Sequence, residues 1–180
     1  SFFCIPKGNV CPIIFLILND DCFMTKVECC DIINFMYKVT NEAELIALGE
    51  KVGRLLEASD ILILTGDLGT GKTTFTKGLA KGLDVEQMIK SPTYTIVREY
   101  EGRLPLYHLD VYRIGDDPDS IDLDTFLFGD GVTVIEWGEM VEGHLPDGYL
   151  KVELSLDGQG RQLKMTGNGT RYEKLLNELK

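Results

Sequence analysis

Hydrophobic positions recur with two different periods along this chain, and the alternation between them predicts its elements. Residues 37–39 read as a short edge strand. Leu45, Leu48, Val52, Leu55 and Leu56 then share one face at helical spacing and predict a helix to about Ala58. Asn41, with Glu44 three residues on, opens that helix in the manner of a capping box. Ile61-Leu62-Ile63-Leu64 is a continuous apolar run, predicting a buried strand, and residues 73–83 predict a helix directly after it. Residues 83–90 connect to Ser91-Pro92-Thr93-Tyr94-Thr95, where Pro92 lacks an N–H and disfavours helix in favour of an extended path. Residues 95–101 and 104–111 predict two strands joined at Glu101-Gly102-Arg103. Asp117-Pro118 marks the start of a helix over 116–127.

Residues 132–137 are rich in β-branched side chains and predict a buried strand. Leu150, Val152, Leu154 and Leu156 alternate onto one face of 149–156. The turn Asp157-Gly158-Gln159-Gly160 then returns the chain into 161–166, and residues 170–179 close it as an amphipathic helix. Strands and helices interleaved in this way predict an α/β, three-layer architecture, with a mixed central sheet flanked by helices.

Composition narrows the setting. A chain of 180 residues that is 44% hydrophobic has material for one real core. Its net charge of −11 argues against strong nucleic-acid binding by the chain itself, because phosphate neutralisation needs clustered Lys and Arg. The longest apolar run, residues 13–18, is far shorter than the ~20 residues that span a bilayer. No charged start with a small-residue cleavage site marks a signal peptide, so the expectation is a cytoplasmic protein without a membrane. Cys4, Cys11, Cys22, Cys29 and Cys30 all precede the patterned region. Their odd number and lack of CxxC pairs supply neither a disulfide framework nor a zinc set. Met24 and Met36 also precede the first regular helix. The expectation is therefore a natural start near Met36, with residues 1–36 an extension outside a domain at 37–180.

The strand at residues 61–64 runs into Gly66-Asp67-Leu68-Gly69-Thr70-Gly71-Lys72-Thr73, a Walker A phosphate-binding loop in the strand–loop–helix context that gives the motif meaning. Glycines there let backbone N–H groups approach phosphate oxygens, and the following helix N-terminus favours anions. Lys72 offers a mobile charge for β and γ phosphates, and Thr73 a hydroxyl for Mg²⁺. Such a site also needs a carboxylate for the metal and a group that orients the attacking water. Glu136 ends a hydrophobic strand in the Walker B manner, with Glu in place of Asp, and Asp110 follows a shorter apolar strand. Either acid suits either task. Thr93, in its Pro-containing loop, resembles the switch threonine of nucleotide hydrolases. His108 reads as a hydrogen-bonded core residue and takes no role. Arg113 reads as an ion-pair partner before an arginine finger. Trp137, the only tryptophan, reads as core, as partner-facing or as nucleotide-adjacent.

Taken together, Gly66-to-Thr74, Ser91-Pro-Thr-Tyr-Thr95, Tyr107-His-Leu-Asp-Val-Tyr-Arg113 and Ile135-Glu-Trp137 resemble, in order and spacing, the TsaE family, once called YjeE. Those are bacterial P-loop ATPases needed for the threonylcarbamoyl modification of a tRNA adenosine, and the resemblance runs from about Tyr37 to Lys180. It implies a P-loop NTPase fold in which ATP phosphates are held by Lys72 and the backbone from Leu68 through Gly69, Thr70 and Gly71 to Thr73, with Thr74 beside them. It implies Thr73 and Glu136 on Mg²⁺, Asp110 in hydrolysis, Thr93 as a switch, Trp137 near the nucleotide or the partner surface, and Glu42 near the nucleotide. It implies TsaD and TsaB as partners, with repeated turnover of threonylcarbamoyl transfer allowed by ATP hydrolysis, slow without those partners, and with tRNA engaged indirectly through the complex. One departure is Gly138, where many members carry Pro.

Three other readings compete. A P-loop small-molecule kinase needs an arginine-bearing lid, and the six arginines here are scattered, with no segment that reads as one. A GTPase needs an Asn-Lys-x-Asp guanine-reading motif, which the sequence does not contain. A nucleotide-gated adaptor with little hydrolysis would keep the P-loop and the partners.

Overall fold

The computed structural model describes residues 24–25, 33–114 and 121–180. Along the chain run β1 (Met24–Thr25), β2 (Ile33–Val39), α1 (Glu42–Leu55), β3 (Ile61–Thr65), α2 (Lys72–Gly82), β4 (Val97–Tyr100), β5 (Leu106–Asp110), α3 (Leu123–Leu127), β6 (Val132–Glu136), β7 (Tyr149–Asp157), β8 (Gly160–Asn168) and α4 (Thr170–Glu178). Among these residues the strands form one sheet in the order β1-β2-β8-β7-β3-β6-β5-β4. β3 lies parallel to both β6 and β7, and β5 parallel to β6, while β2–β8, β7–β8 and β4–β5 are antiparallel. The expected mixed sheet in an α/β, three-layer arrangement is what the chain adopts.

β3 is buried at every position because both faces of the sheet are covered. Leu62 and Leu64 join a core with Leu45, Leu48 and Val52 of α1, Phe75 and Leu79 of α2 and Leu175 of α4. Ile61 and Ile63 join a second core with Leu109, Ile135, Leu123 and Leu127 of α3, and Val141. A strand sealed on both sides reads as an unbroken apolar run, as residues 61–64 do.

α1 starts as its sequence requires. The Glu44 N–H donates to the Asn41 side chain at 2.9 Å, and the Glu44 carboxylate accepts from the Thr40 N–H at 2.7 Å. The reciprocal half of the box thus reaches one residue further out than Asn41. α1 and α2 then meet through glycines on both sides. A Cβ at Gly49 would lie 2.5 Å from the Phe75 carbonyl oxygen, and Cβ atoms at Gly53, Gly78 and Gly82 would strike backbone carbonyl oxygens of the facing helix. Only backbone against backbone permits so close an approach. Arg103, at the β4–β5 turn, ties the far ends together. Its guanidinium donates to the carbonyls of Gly53 at 2.8 Å, Leu56 at 2.7 Å and Gly82 at 3.4 Å.

Several expectations shift. β2 begins at Ile33, so residues 33–36 lie in the sheet ahead of the boundary expected at Tyr37, and Phe35 is fully buried opposite Met165. β2 is also no bare edge, being paired along its length with β8 and with β1 beyond it. Leu156 is 60% exposed, unlike Leu150, Val152 and Leu154. The neighbouring β3 pairs with β7 only as far as Glu153, so the hairpin tip projects past its cover. The helix expected over 116–127 is α3, Leu123–Leu127, and Asp117-Pro118 lies outside the described residues. Residues Gly138–His144 form 3-10 turns kinked at Val141, an element no hydrophobic period announces. The cysteines lie outside the described residues as well. Among the described residues no helix is long and apolar enough to cross a membrane.

Candidate functional site

β3, β5 and β6 end side by side, and α2 begins where β3 stops. The loop between β3 and α2 turns through Gly66, Gly69 and Gly71 at φ of 130°, 84° and 107°, a region side chains avoid. Gly71 precedes α2 as its N-cap and offers no side-chain cap, which leaves the N–H groups of the first turn to a ligand. Thr70, nearly fully buried, donates to the Asp67 carbonyl at 2.8 Å, so its hydroxyl closes the loop.

Lys72 is 5% exposed. Its ammonium donates to the carbonyls of Gly66 at 2.5 Å and Asp67 at 3.1 Å, and lies 3.9 Å from the centroid of the Trp137 ring. It makes no ion pair among the described residues. Burial pushes its pKa down, while Glu136, Glu139, Asp110 and Asp67 pull the other way without reversing it. A desolvated cation facing only neutral carbonyls and a ring fits an anionic ligand such as a polyphosphate.

The two acids have separate partners. Glu136 is 4% exposed, and its Oε1 accepts from the Thr73 hydroxyl at 2.8 Å and lies 2.8 Å from His108 Nε2. Asp110 is 3% exposed, and its Oδ2 accepts from the Thr93 hydroxyl at 2.7 Å while Oδ1 accepts from the Tyr112 N–H at 3.1 Å. Ser91 and Thr93 share a hydroxyl contact of 2.7 Å. Hydroxyl and carboxylate oxygens gathered in this way are the donor set a hard cation such as Mg²⁺ prefers.

These groups share one cavity of about 240 Å³. Gly69, Gly71, Lys72, Thr73 and Thr74 form one wall, Ser91, Thr93 and Asp110 another, and Glu136, Trp137 and the strongly exposed Leu68 complete it. Glu42 stands apart from the cavity lining, its carboxylate paired with Lys77 at 3.6 Å. Arg113 lies over the Tyr94 ring at 4.6 Å. Trp137 is held at φ 63°, packed at 4.9 Å against the Tyr112 ring. A Cβ at Gly138 would run into the Ile63 side chain, so the chain that carries Gly here uses the space for its core.

Sequence reading did not single out Ser91, Tyr112 or the contact between His108 and Glu136. Ser91 and Tyr112 belong to the same short blocks as Thr93 and Asp110, and that proximity was the available signal. The His108 contact joins two strands far apart in sequence and had none.

A family model described as "Threonylcarbamoyl adenosine biosynthesis protein TsaE" matches residues 39–163. The chain is 41% identical over 145 residues to the tRNA threonylcarbamoyladenosine biosynthesis protein TsaE of Bacillus subtilis, covering 79% of this chain and 92% of that one. It is 45% identical over 116 residues to the protein of the same name from Treponema pallidum, covering 63% and 86%. Its fold superimposes on the crystal structure of Bacillus subtilis YdiB with a TM-score of 0.74 and 37% identity, covering 82% of this chain and 95% of that one.

Proposed function

The chain belongs to the TsaE family, and on that premise we propose that it binds and hydrolyses ATP with Mg²⁺ as a subunit of the tRNA threonylcarbamoyladenosine machinery, beside TsaD and TsaB. The observation that carries this reading is the 2.8 Å hydrogen bond from Thr73 to Glu136. It joins the first turn of the P-loop helix to the end of β6 and puts a hydroxyl and a carboxylate together where a metal would meet the phosphates. Mg²⁺ held there supplies positive charge that stabilises the phosphoryl oxygens during transfer to water.

Each residue then has a task. The N–H groups from Leu68 to Thr73 bind phosphate oxygens, and Thr74 borders them. Lys72 exchanges two carbonyls and a ring for β and γ phosphate oxygens, a stronger set of charge-assisted contacts. Asp110 orients the attacking water and accepts its proton, while Thr93 must let go of Asp110 to reach the nucleotide. Both oxygens of Asp110 are engaged in this structure, which supports slow hydrolysis until a partner rearranges the 91–96 segment. Trp137 borders the phosphate-binding lysine, and Glu42 approaches the site only if its Lys77 pair opens.

The acidic chain leaves contacts with tRNA to its partners, and the threonylcarbamoyl transfer to TsaD. This reading makes the protein cytoplasmic. The test is phosphate release from ATP by the chain alone and with TsaD and TsaB: a low rate that rises with the partners is expected, and no turnover in either condition removes the reading.

A further inference from the structure

His108 is fully buried on β5, opposite Val134 of β6, on the face that packs Leu106, Val132 and Val134 beneath α2. An apolar side chain would suit that position better unless the imidazole had a task, since its Nδ1 has no hydrogen-bond partner among the described residues. Its Nε2 lies 2.8 Å from Glu136 Oε1, and with Nδ1 unpartnered the geometry puts the ring proton on Nε2, donating to the carboxylate. Both hydrogen bonds to Glu136 fall on Oε1, and Oε2 accepts none among the described residues.

We propose that His108 is a positioning residue, holding Glu136 by Oε1 so that Oε2 is left for Mg²⁺. The inference rests on the proposed function. When the Thr73 hydroxyl turns to the metal, the His108 N–H is the protein hydrogen bond that still fixes the carboxylate. Groups that orient a metal-binding carboxylate in this way typically contribute on the order of 10- to 100-fold in metal affinity.

The test compares two amides in the full chain. In His108→Gln the amide nitrogen reaches about as far as Nε2, whereas in His108→Asn it stops near the level of Nδ1. Binding of a non-hydrolysable ATP analogue is measured by calorimetry with Mg²⁺ and with EDTA, and the ratio of affinities is the readout. His108→Asn should lower that ratio about 10-fold and His108→Gln should restore most of it. An unchanged ratio in His108→Asn, or equal damage in both variants, overturns the inference. A wild-type chain indifferent to Mg²⁺ removes the functional reading, and the inference with it. Independent of nucleotide and of variant folding, ¹⁵N NMR of the metal-free wild-type protein should find a slowly exchanging proton on His108 Nε2, and a proton on Nδ1 alone overturns the proposal.

Discussion

Asp110 and Glu136 are direct neighbours across parallel strands, paired residue to residue in the β5–β6 register, and among the described residues they share no hydrogen-bond donor. Here the donors divide by origin. Those of Glu136 come from the P-loop helix and β5, and those of Asp110 from the 91–95 segment and its own turn.

That division predicts separable phenotypes for Asp110. Asp110→Ala should bind ATP and Mg²⁺ within a few-fold of wild type and lose about 100-fold or more in partner-stimulated hydrolysis, the usual range for a general base. Single-turnover kinetics with equilibrium binding check both halves. Retention of most of the hydrolytic rate would withdraw the role given to Asp110.

Lys72→Ala should abolish stabilisation by nucleotide. Ligand at 100 times its dissociation constant stabilises a protein by about 2.7 kcal/mol, visible as a rise in melting temperature. Wild type should show that rise with ATP and Mg²⁺ and the variant should not. An unchanged rise in the variant would take the P-loop out of the mechanism.

Trp137 should report the movement of Lys72. It is the only tryptophan, and the ammonium lies 3.9 Å from its ring centroid. Nucleotide that draws the ammonium onto phosphate changes the field at the indole, so emission should change on titration with ATP. Lys72→Met should change it before any nucleotide is added. Emission that ignores both would show the contact to be absent in solution.

Gly78→Ala should destabilise the fold by about 1–3 kcal/mol, because its methyl group would strike the backbone of α1 at Ile46. Gly143→Ala is the control, with open space at its Cβ, and should stay within about 0.5 kcal/mol. Urea denaturation of both variants gives the comparison.

Most of the architecture was legible because its elements carry strong periods. β3 announced itself by burial on both faces, α1 by its apolar stripe and cap, and the β7–β8 hairpin by its turn. The phosphate loop was legible because glycine, lysine and threonine are required there in a fixed local order. What escaped depends on distance in sequence or on conformation without a pattern. The hydrogen bond of His108 to Glu136 joins two strands, and the 3-10 turns of Gly138–His144 come directly after the left-handed residue Trp137. The glycines of α1 and α2 did repeat at four-residue spacing, Gly49 with Gly53 and Gly78 with Gly82, a signal for close helix contact that hydrophobic periodicity does not record.

Arg103 gives the cavity a mechanical character. It fastens the C-terminal ends of α1 and α2 to the turn that begins β5, the strand whose other end carries Asp110. α2 carries Lys72 and Thr73 at its own opposite end. The lysine wall and the aspartate wall are therefore carried on two elements joined at their far ends by Arg103, and at the site by the Thr73–Glu136 hydrogen bond and the pairing of Glu136 with Asp110. The 91–96 segment joins the aspartate wall at two points, the Thr93 hydroxyl on Asp110 and the Asp110 N–H on the Ile96 carbonyl.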